Sequence, residues 1–163
     1  MSKTVRLDKT DRRILMVLQQ EGRISNIELA RRVSLSPSPC LRRLQRLEEE
    51  GVIDRYVALV NPEKLGVGLL AYVNVSLDKR NPQATDAFKQ VVHHWPEVTE
   101  CYAMTGEMDY LLRVMVTDLQ HFSRFVMDKV LKQAGVLDVK SSFALEGVKR
   151  TTALPIEALA EED

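Results

Sequence analysis

Six arginines lie between Arg23 and Arg46, with Glu28 the single acid among them, and Arg42, Arg43 and Arg46 recur at helical spacing. At about 100° of rotation per residue these three gather on one side of a helix, and Leu41, Leu44 and Leu47 form an apolar stripe on the other. A guanidinium fork binds a phosphate, or grips the O6 and N7 atoms of guanine with two hydrogen bonds. The small hydroxyls of Ser36 and Ser38, at the start of the same segment, let a nucleic-acid backbone or base edge come close. An ordinary solvated helix face has the same pattern, with Glu50 placed to pair with Arg46 one turn earlier.

A second cluster is Thr105-Gly106-Glu107-Met108-Asp109-Tyr110. It combines backbone N–H groups, a hydroxyl and two carboxylates, enough to hold a zwitterion: N–H groups for a carboxylate, Asp109 for an ammonium. A plain hairpin turn with glycine at positive φ is the alternative. His93, His94 and His121 lack a carboxylate or cysteine at ligand spacing, so no metal site is expected. No GxSxG elbow, Walker loop or HExxH motif occurs, and Gly66-Val67-Gly68 lacks the third glycine of a nucleotide fingerprint. No cofactor is expected either. Cys40 stands in the first turn of a helix, where the dipole favours a thiolate; it is either a redox switch or a small packed residue.

The elements that must position these groups are readable from caps and periodicity. Ile14 to Leu18, ended by Gly22, reads as a first helix. Ser25 with Glu28, bracketed by Ile24 and Leu29, reads as a capping box and hydrophobic staple that start a second. Ser36 caps a third, with Pro37 and Pro39 in its first turn and Gly51 as its stop. Tandem short helices of this kind make a helix-turn-helix, and Ile53 to Val60 follows as a wing strand in which Arg55 and Tyr56 are either contacts to the nucleic-acid backbone or ordinary strand surface. Asn61-Pro62 and the glycines to Gly68 read as a hinge.

Beyond the hinge the period becomes two. Ala71, Val73, Val75 and Leu77 alternate with polar neighbours in a half-buried strand. A helix bearing Ala84, Phe88, Val91, Val92 and Trp95 follows, then strands Val98 to Met104 and Tyr110 to Val116. A helix capped by Asp118 carries Leu119, Phe122, Val126 and Val130, and Val136 to Leu145 is the last strand. The order βαββαβ predicts a ferredoxin-like sheet with both helices on one face; a second copy covering the other face predicts a homodimer. The fold class is thus α+β, a winged helix-turn-helix followed by a ferredoxin-like domain. The boundaries are 1–60, a hinge at 61–68, 69–150, and a loosely held acidic tail at 151–163.

The 163 residues are 45% hydrophobic and 28% charged, a globular composition that excludes a disordered chain. Net charge is zero, but residues 1–60 carry 12 Lys+Arg against 8 Asp+Glu, and residues 61–163 carry 11 against 15. The neutral total hides a basic N-terminal end suited to nucleic acid. No apolar run is long enough for a membrane span, and the two cysteines, Cys40 and Cys101, lack bridge or ligand spacing, so a cytoplasmic protein with free thiols is expected.

The stretches DKTDRRIL, GRISNIELARRVSLSPSPCLRRLQRLEEEGVI, YVALVNPEKLG and TGEMDYLL, in this order over nearly the whole chain, resemble the Lrp/AsnC (feast/famine) transcription regulators, in particular the leucine-responsive branch. The resemblance implies a DNA-binding regulator whose C-terminal, RAM-type domain dimerises, assembles further, commonly into octamers, and binds an amino acid between dimers. It makes Ser25, Asn26, Ser36, Ser38, Arg42, Arg43 and Arg46 the expected DNA contacts. Thr105, Gly106, Glu107, Met108, Asp109, Tyr110 and Ser142 become the expected effector contacts, Ser142 standing where the leucine-responsive branch often has an aromatic. Met104 and Met108 suit an apolar amino acid such as leucine or methionine. Two other readings are a thiol-responsive repressor acting through Cys40, and a small amino-acid-processing enzyme with Asp109 or Glu107 as general base. The absence of a nucleophile or cofactor motif makes a regulator, not an enzyme, the expectation.

Overall fold

Asp8 starts the first helix. In the computed structural model, which describes residues 5–158, helix α1 (Lys9–Gln20) opens with a reciprocal capping box. The Asp8 carboxylate accepts the Asp11 N–H at 2.8 Å, and the Asp11 carboxylate accepts the Asp8 N–H at 3.2 Å. Helix α2 (Asn26–Arg32) starts at Ser25 as its residues dictate, Ser25 Oγ accepting the Glu28 N–H at 3.3 Å. Only half of the expected box forms there, because the Glu28 carboxylate turns to Arg31 and Arg32. Helix α3 (Pro37–Glu49) follows Ser36, whose hydroxyl makes no capping bond; the prolines in the first turn remove N–H groups that a cap would have served.

The buried side of α3 is Cys40, Leu44 and Leu47 rather than the expected Leu41, Leu44 and Leu47, and Leu41 is exposed. Cys40 and Leu47 pack with Ile14, Leu15, Leu29, Ala30 and Val33 into the core of the N-terminal unit. Residues 53–60 form no β-ladder among the described residues, so the expected wing strand is an unpaired stretch. A strand is made by its hydrogen-bonded neighbour, and no described segment forms a ladder with this one; Ile53 instead packs against the helical core and Tyr56 bonds to Glu48.

The tail requires a second correction. By internal packing the chain forms two units, one running to Leu59 and resuming at Lys149, the other Val60–Val148. The segment expected to hang loosely belongs to the first unit. Ile156 is buried in the helical core, Leu154 N–H donates to Gln19 Oε1 at 2.6 Å, and Gln19 Nε2 donates to the Leu154 carbonyl at 3.2 Å. One buried isoleucine and a pair of amide bonds overcome the polar composition around them. The acidic residues 159–163 lie outside the described residues.

The second unit starts with a short turn at Glu63–Leu65, capped by Asn61, whose Oδ1 accepts the N–H groups of Glu63 and Lys64. Strand β1 (Leu69–Leu77), helix α4 (Pro82–Val92), strands β2 (Val98–Ala103) and β3 (Tyr110–Val116), helix α5 (Leu119–Phe125) and strand β4 (Val136–Phe143) follow. Helix α5 continues as a π turn over Val126–Val130. The sheet order is β2-β3-β1-β4 with every neighbour antiparallel, the ferredoxin-like arrangement that the element order predicts. Ala71, Val73, Val75 and Leu77 of β1 and Tyr110, Leu112, Val114 and Val116 of β3 point into one core with Phe88, Trp95, Phe122 and Phe125. Trp95 stacks edge-on against both Phe88 and Phe125. Leu119, expected inside, is exposed, and Phe125 takes the buried place.

Candidate functional site

The expected DNA contacts separate into three groups. Ser36, Ser38 and Arg42 are exposed at the start of α3, and Arg42 has no hydrogen-bond or ion-pair partner among the described residues. The exposed stripe continues through Leu41 to Gln45, which sequence reasoning missed. Ser38, Leu41, Arg42 and Gln45 stand at i, i+3, i+4 and i+7, one helix face that offers a hydroxyl, an apolar branch, a guanidinium and an amide. These are groups that read phosphates, thymine methyls, guanine and adenine edges.

Ser25 and Asn26 form the second group and already have local tasks. Ser25 caps α2, and Asn26 Nδ2 donates to the Pro37 carbonyl at 3.0 Å, tying the start of α2 to the start of α3. Asn26 Oδ1 is buried without a hydrogen-bond partner among the described residues.

Arg43 and Arg46 are the third. The wheel puts them beside Arg42, but they turn toward α1. Arg43 Nη1 donates to Asp8 at 2.6 Å and to Asp11 at 2.8 Å, and Arg46 Nη2 donates to the other oxygen of Asp11. Asp11 is 1% exposed, a buried carboxylate satisfied by two guanidinium groups and its own capping bond. Burial pushes the Asp8 carboxyl up, but the Asp11 N–H and the Arg43 guanidinium outweigh it and hold the group below the usual aspartate range.

Other basic residues of the helical unit are paired more locally. Arg31 and Arg32 donate to Glu28 and bring its carboxyl down to about 2, and Arg32 also meets Glu21 at 2.8 Å. Arg55 lies beside Asp54. Tyr56 Oη donates to Glu48 at 2.8 Å, and burial together with that carboxylate pushes the phenol up to about 12.

The loop from Thr105 to Tyr110 joins β2 to β3. Thr105, Gly106 and Glu107 are exposed and Met108 half-buried, with Gly106 at a φ of 111° that only glycine adopts at ease. Asp109 Oδ2 accepts the Leu77 N–H at 2.8 Å, and its Oδ1 faces Lys79 at 3.7 Å. The carboxylate expected to take a ligand ammonium is therefore committed to the end of β1. Tyr110 is also redirected: its ring is buried against Phe88 at 5.1 Å, because the pleat turns that position toward the helices.

Glu107 pairs with Lys140 of β4 at 3.1 Å, a partner 33 residues away that no local pattern announces. Ser142 lies opposite Tyr72, which is also opposite Arg113; Lys140 lies opposite Asn74, one step nearer the loop. These open-face positions carry both hydrogen-bonding and aromatic groups.

Cys40 is fully buried, and that burial pushes its thiol up. Oxidation requires an accessible thiolate, so the redox reading is corrected and Cys40 is a core residue. The enzyme reading loses Asp109 to the Leu77 N–H, and Glu107 is an exposed carboxylate facing Lys140. Among the described residues no three His, Cys, Asp or Glu side chains come together as a metal site.

Residues 7–54 match the family model of winged helix-turn-helix DNA-binding domains, and residues 70–154 match that of the Lrp/AsnC ligand binding domain. The leucine-responsive regulatory proteins of Klebsiella pneumoniae and Escherichia coli K12 are each 40% identical over 151 residues, 93% of this chain and 92% of theirs. A transcriptional regulator of Neisseria meningitidis, solved in complex with L-Met, superposes with a TM-score of 0.90 at 51% identity, covering 93% of this chain and 97% of that one. An AsnC family regulator of Agrobacterium tumefaciens gives 0.89 at 39% identity over 94% and 100%.

Proposed function

The chain belongs to the Lrp/AsnC family of DNA-binding transcription regulators, which are not enzymes and carry an amino-acid-binding domain, and from that premise we propose that it reads specific DNA sites under control of leucine or methionine. The observation that carries the DNA part is the exposed stripe Ser38, Leu41, Arg42 and Gln45 on the second helix of the helix-turn-helix pair. Ser36 contacts the backbone from the helix start, and Arg42 supplies the direct guanidinium contact. Ser25 and Asn26 support the backbone contact from α2, and Arg43 and Arg46 reach phosphate with the donors that Asp8 and Asp11 leave free.

The effector site comprises Thr105, Gly106, Glu107, Met108, Asp109, Tyr110 and Ser142, with Lys140 added. Glu107 and the loop N–H groups address the charged ends of the amino acid, Met104 and Met108 supply the apolar contact, and Asp109 and Tyr110 act from beneath by fixing the loop. The L-Met bound to the Neisseria relative supports methionine. A second copy covers the open face of the sheet in a homodimer, and dimers join into an octamer around the loops. The working boundaries remain 1–60, 61–68 and 69–150. No described helix is long and apolar enough to cross a membrane, which accords with work in the cytoplasm.

The experiment is a melting series of the purified protein with each of the twenty amino acids, followed by binding to a duplex that the protein enriches from a random-sequence library. Leucine or methionine at 100 times its Kd stabilises by about 2.7 kcal/mol. It must also shift DNA affinity, because an effector acts only through unequal affinity for the states it selects. A flat panel, or a preference for a charged amino acid, overturns the effector assignment.

A further inference from the structure

We propose that Asp11 is a positioning residue for DNA recognition, a buried carboxylate that grips Arg43 and Arg46 from behind and aims their remaining donors outward. The inference rests on the DNA reading above and deepens it. Asp11 is 1% exposed and accepts one guanidinium on each oxygen, Arg43 Nη1 at 2.8 Å and Arg46 Nη2 on the other side. Asp8 takes a second bond from the same Arg43 nitrogen at 2.6 Å. Only one nitrogen of each arginine is used. Nε and Nη2 of Arg43, and Nε and Nη1 of Arg46, have no partner among the described residues, and the two side chains are 34% and 42% exposed.

A guanidinium has five N–H donors in a rigid plane, so fixing one edge orients the other. An arginine at an exposed helix position otherwise gives up much rotamer freedom when it meets a phosphate. Asp11 takes that cost on folding, so less of it falls on the binding step. Arg43 and Arg46 lie at i and i+3 on α3 and share one carboxylate from α1, so the same contact fixes the roll of the reading helix against its neighbour. The capping bond from Asp8 N–H to Asp11 in turn fixes Asp11.

The sign of the effect separates this role from simple charge. Asp11→Asn keeps the shape of the side chain and can still accept the Asp8 N–H, but it removes a negative charge near a polyanion. Electrostatics alone would make DNA binding tighter, equally for all sequences. Positioning requires the reverse for specific DNA, because aimed phosphate contacts fix the register of the reading helix on its site, which a scrambled duplex does not offer. Affinity for the enriched duplex falls about tenfold, the loss of roughly one well-placed contact, and affinity for a scrambled duplex stays level or rises. In an Arg43→Ala, Arg46→Ala background, Asp11→Asn then leaves the ratio of specific to scrambled binding unchanged.

Asp8→Asn is the second variant in case Asp11→Asn does not fold. It releases one bond to Arg43 from an exposed carboxylate and lowers the ratio by a smaller factor. Equal tightening on both duplexes would overturn the proposal, as would an unchanged ratio in both single variants or an equal loss on both duplexes. Wild-type protein that enriches no duplex would instead remove the DNA reading itself, a result visible before any variant is made.

Discussion

Arg42 is the guanidinium of the third helix that no carboxylate of the described residues restrains. Arg42→Ala is expected to lower the slope of log K against log salt by about one, with little change in melting temperature; an unchanged slope in a salt titration removes Arg42 from the interface. Cys40 gives a second test at this scale. In a Cys101→Ser protein the native state should not react with a thiol reagent, and one thiol should appear on unfolding in urea; fast native labelling would contradict its place in the core. The sequence made the arginines legible as a group but not their division. A helical wheel describes one helix, whereas Arg43 and Arg46 are claimed by Asp8 and Asp11, 32 to 35 residues upstream. Asp109 and Tyr110 look like ligand contacts in the sequence for a similar reason. Their types suit a ligand, and only the strand register reveals that one serves Leu77 and the other the core.

Elements were the most legible level where their signal is local. Ser25, Asp118 and the alternation of β1 each announce themselves within a few residues, and the structure forms them there. The stretch from residue 53 to 60 has a strand's residues without a strand's partner, and the π turn at Val126–Val130 leaves no periodic trace because it shifts the helical register by a single residue. Two glycines test how elements are joined. Gly135 precedes β4 at a φ of 87°, and a Cβ there would stand 2.3 Å from that of Ala84 on α4. Gly106 has a similar need for positive φ but open space around it. Gly135→Ala should therefore cost about 2–4 kcal/mol and Gly106→Ala about 1–2 kcal/mol, read from urea unfolding; equal costs would mean that α4 yields freely.

For the molecule as a whole, acid should weaken the fold in a defined window. Burial pushes the Glu97 carboxyl up, but the Lys129 ammonium 2.7 Å away brings it below its ordinary value, and Asp8, Asp78, Asp118 and Asp128 are also lowered. Groups with depressed folded values stabilise fully above the unfolded values and lose that contribution as pH falls through the folded ones. Unfolding midpoints should thus be level on this account down to about pH 4.5 and fall below it; a midpoint unchanged at pH 3 would refute the sum of these pairs. Ile156→Ala is expected to weaken the helical unit by about 2 kcal/mol, and an unaltered urea midpoint for that unit would dismiss the docked tail. That docking also bears on how the protein is made. The DNA-binding unit is begun first on the ribosome but lacks Ile156 until the ligand-binding unit has been synthesised, a delay of roughly 5–20 s at ordinary elongation rates. A nascent chain therefore gains its complete DNA-reading end only once its ligand-binding unit has also been made, so no half-synthesised chain carries a finished helical core.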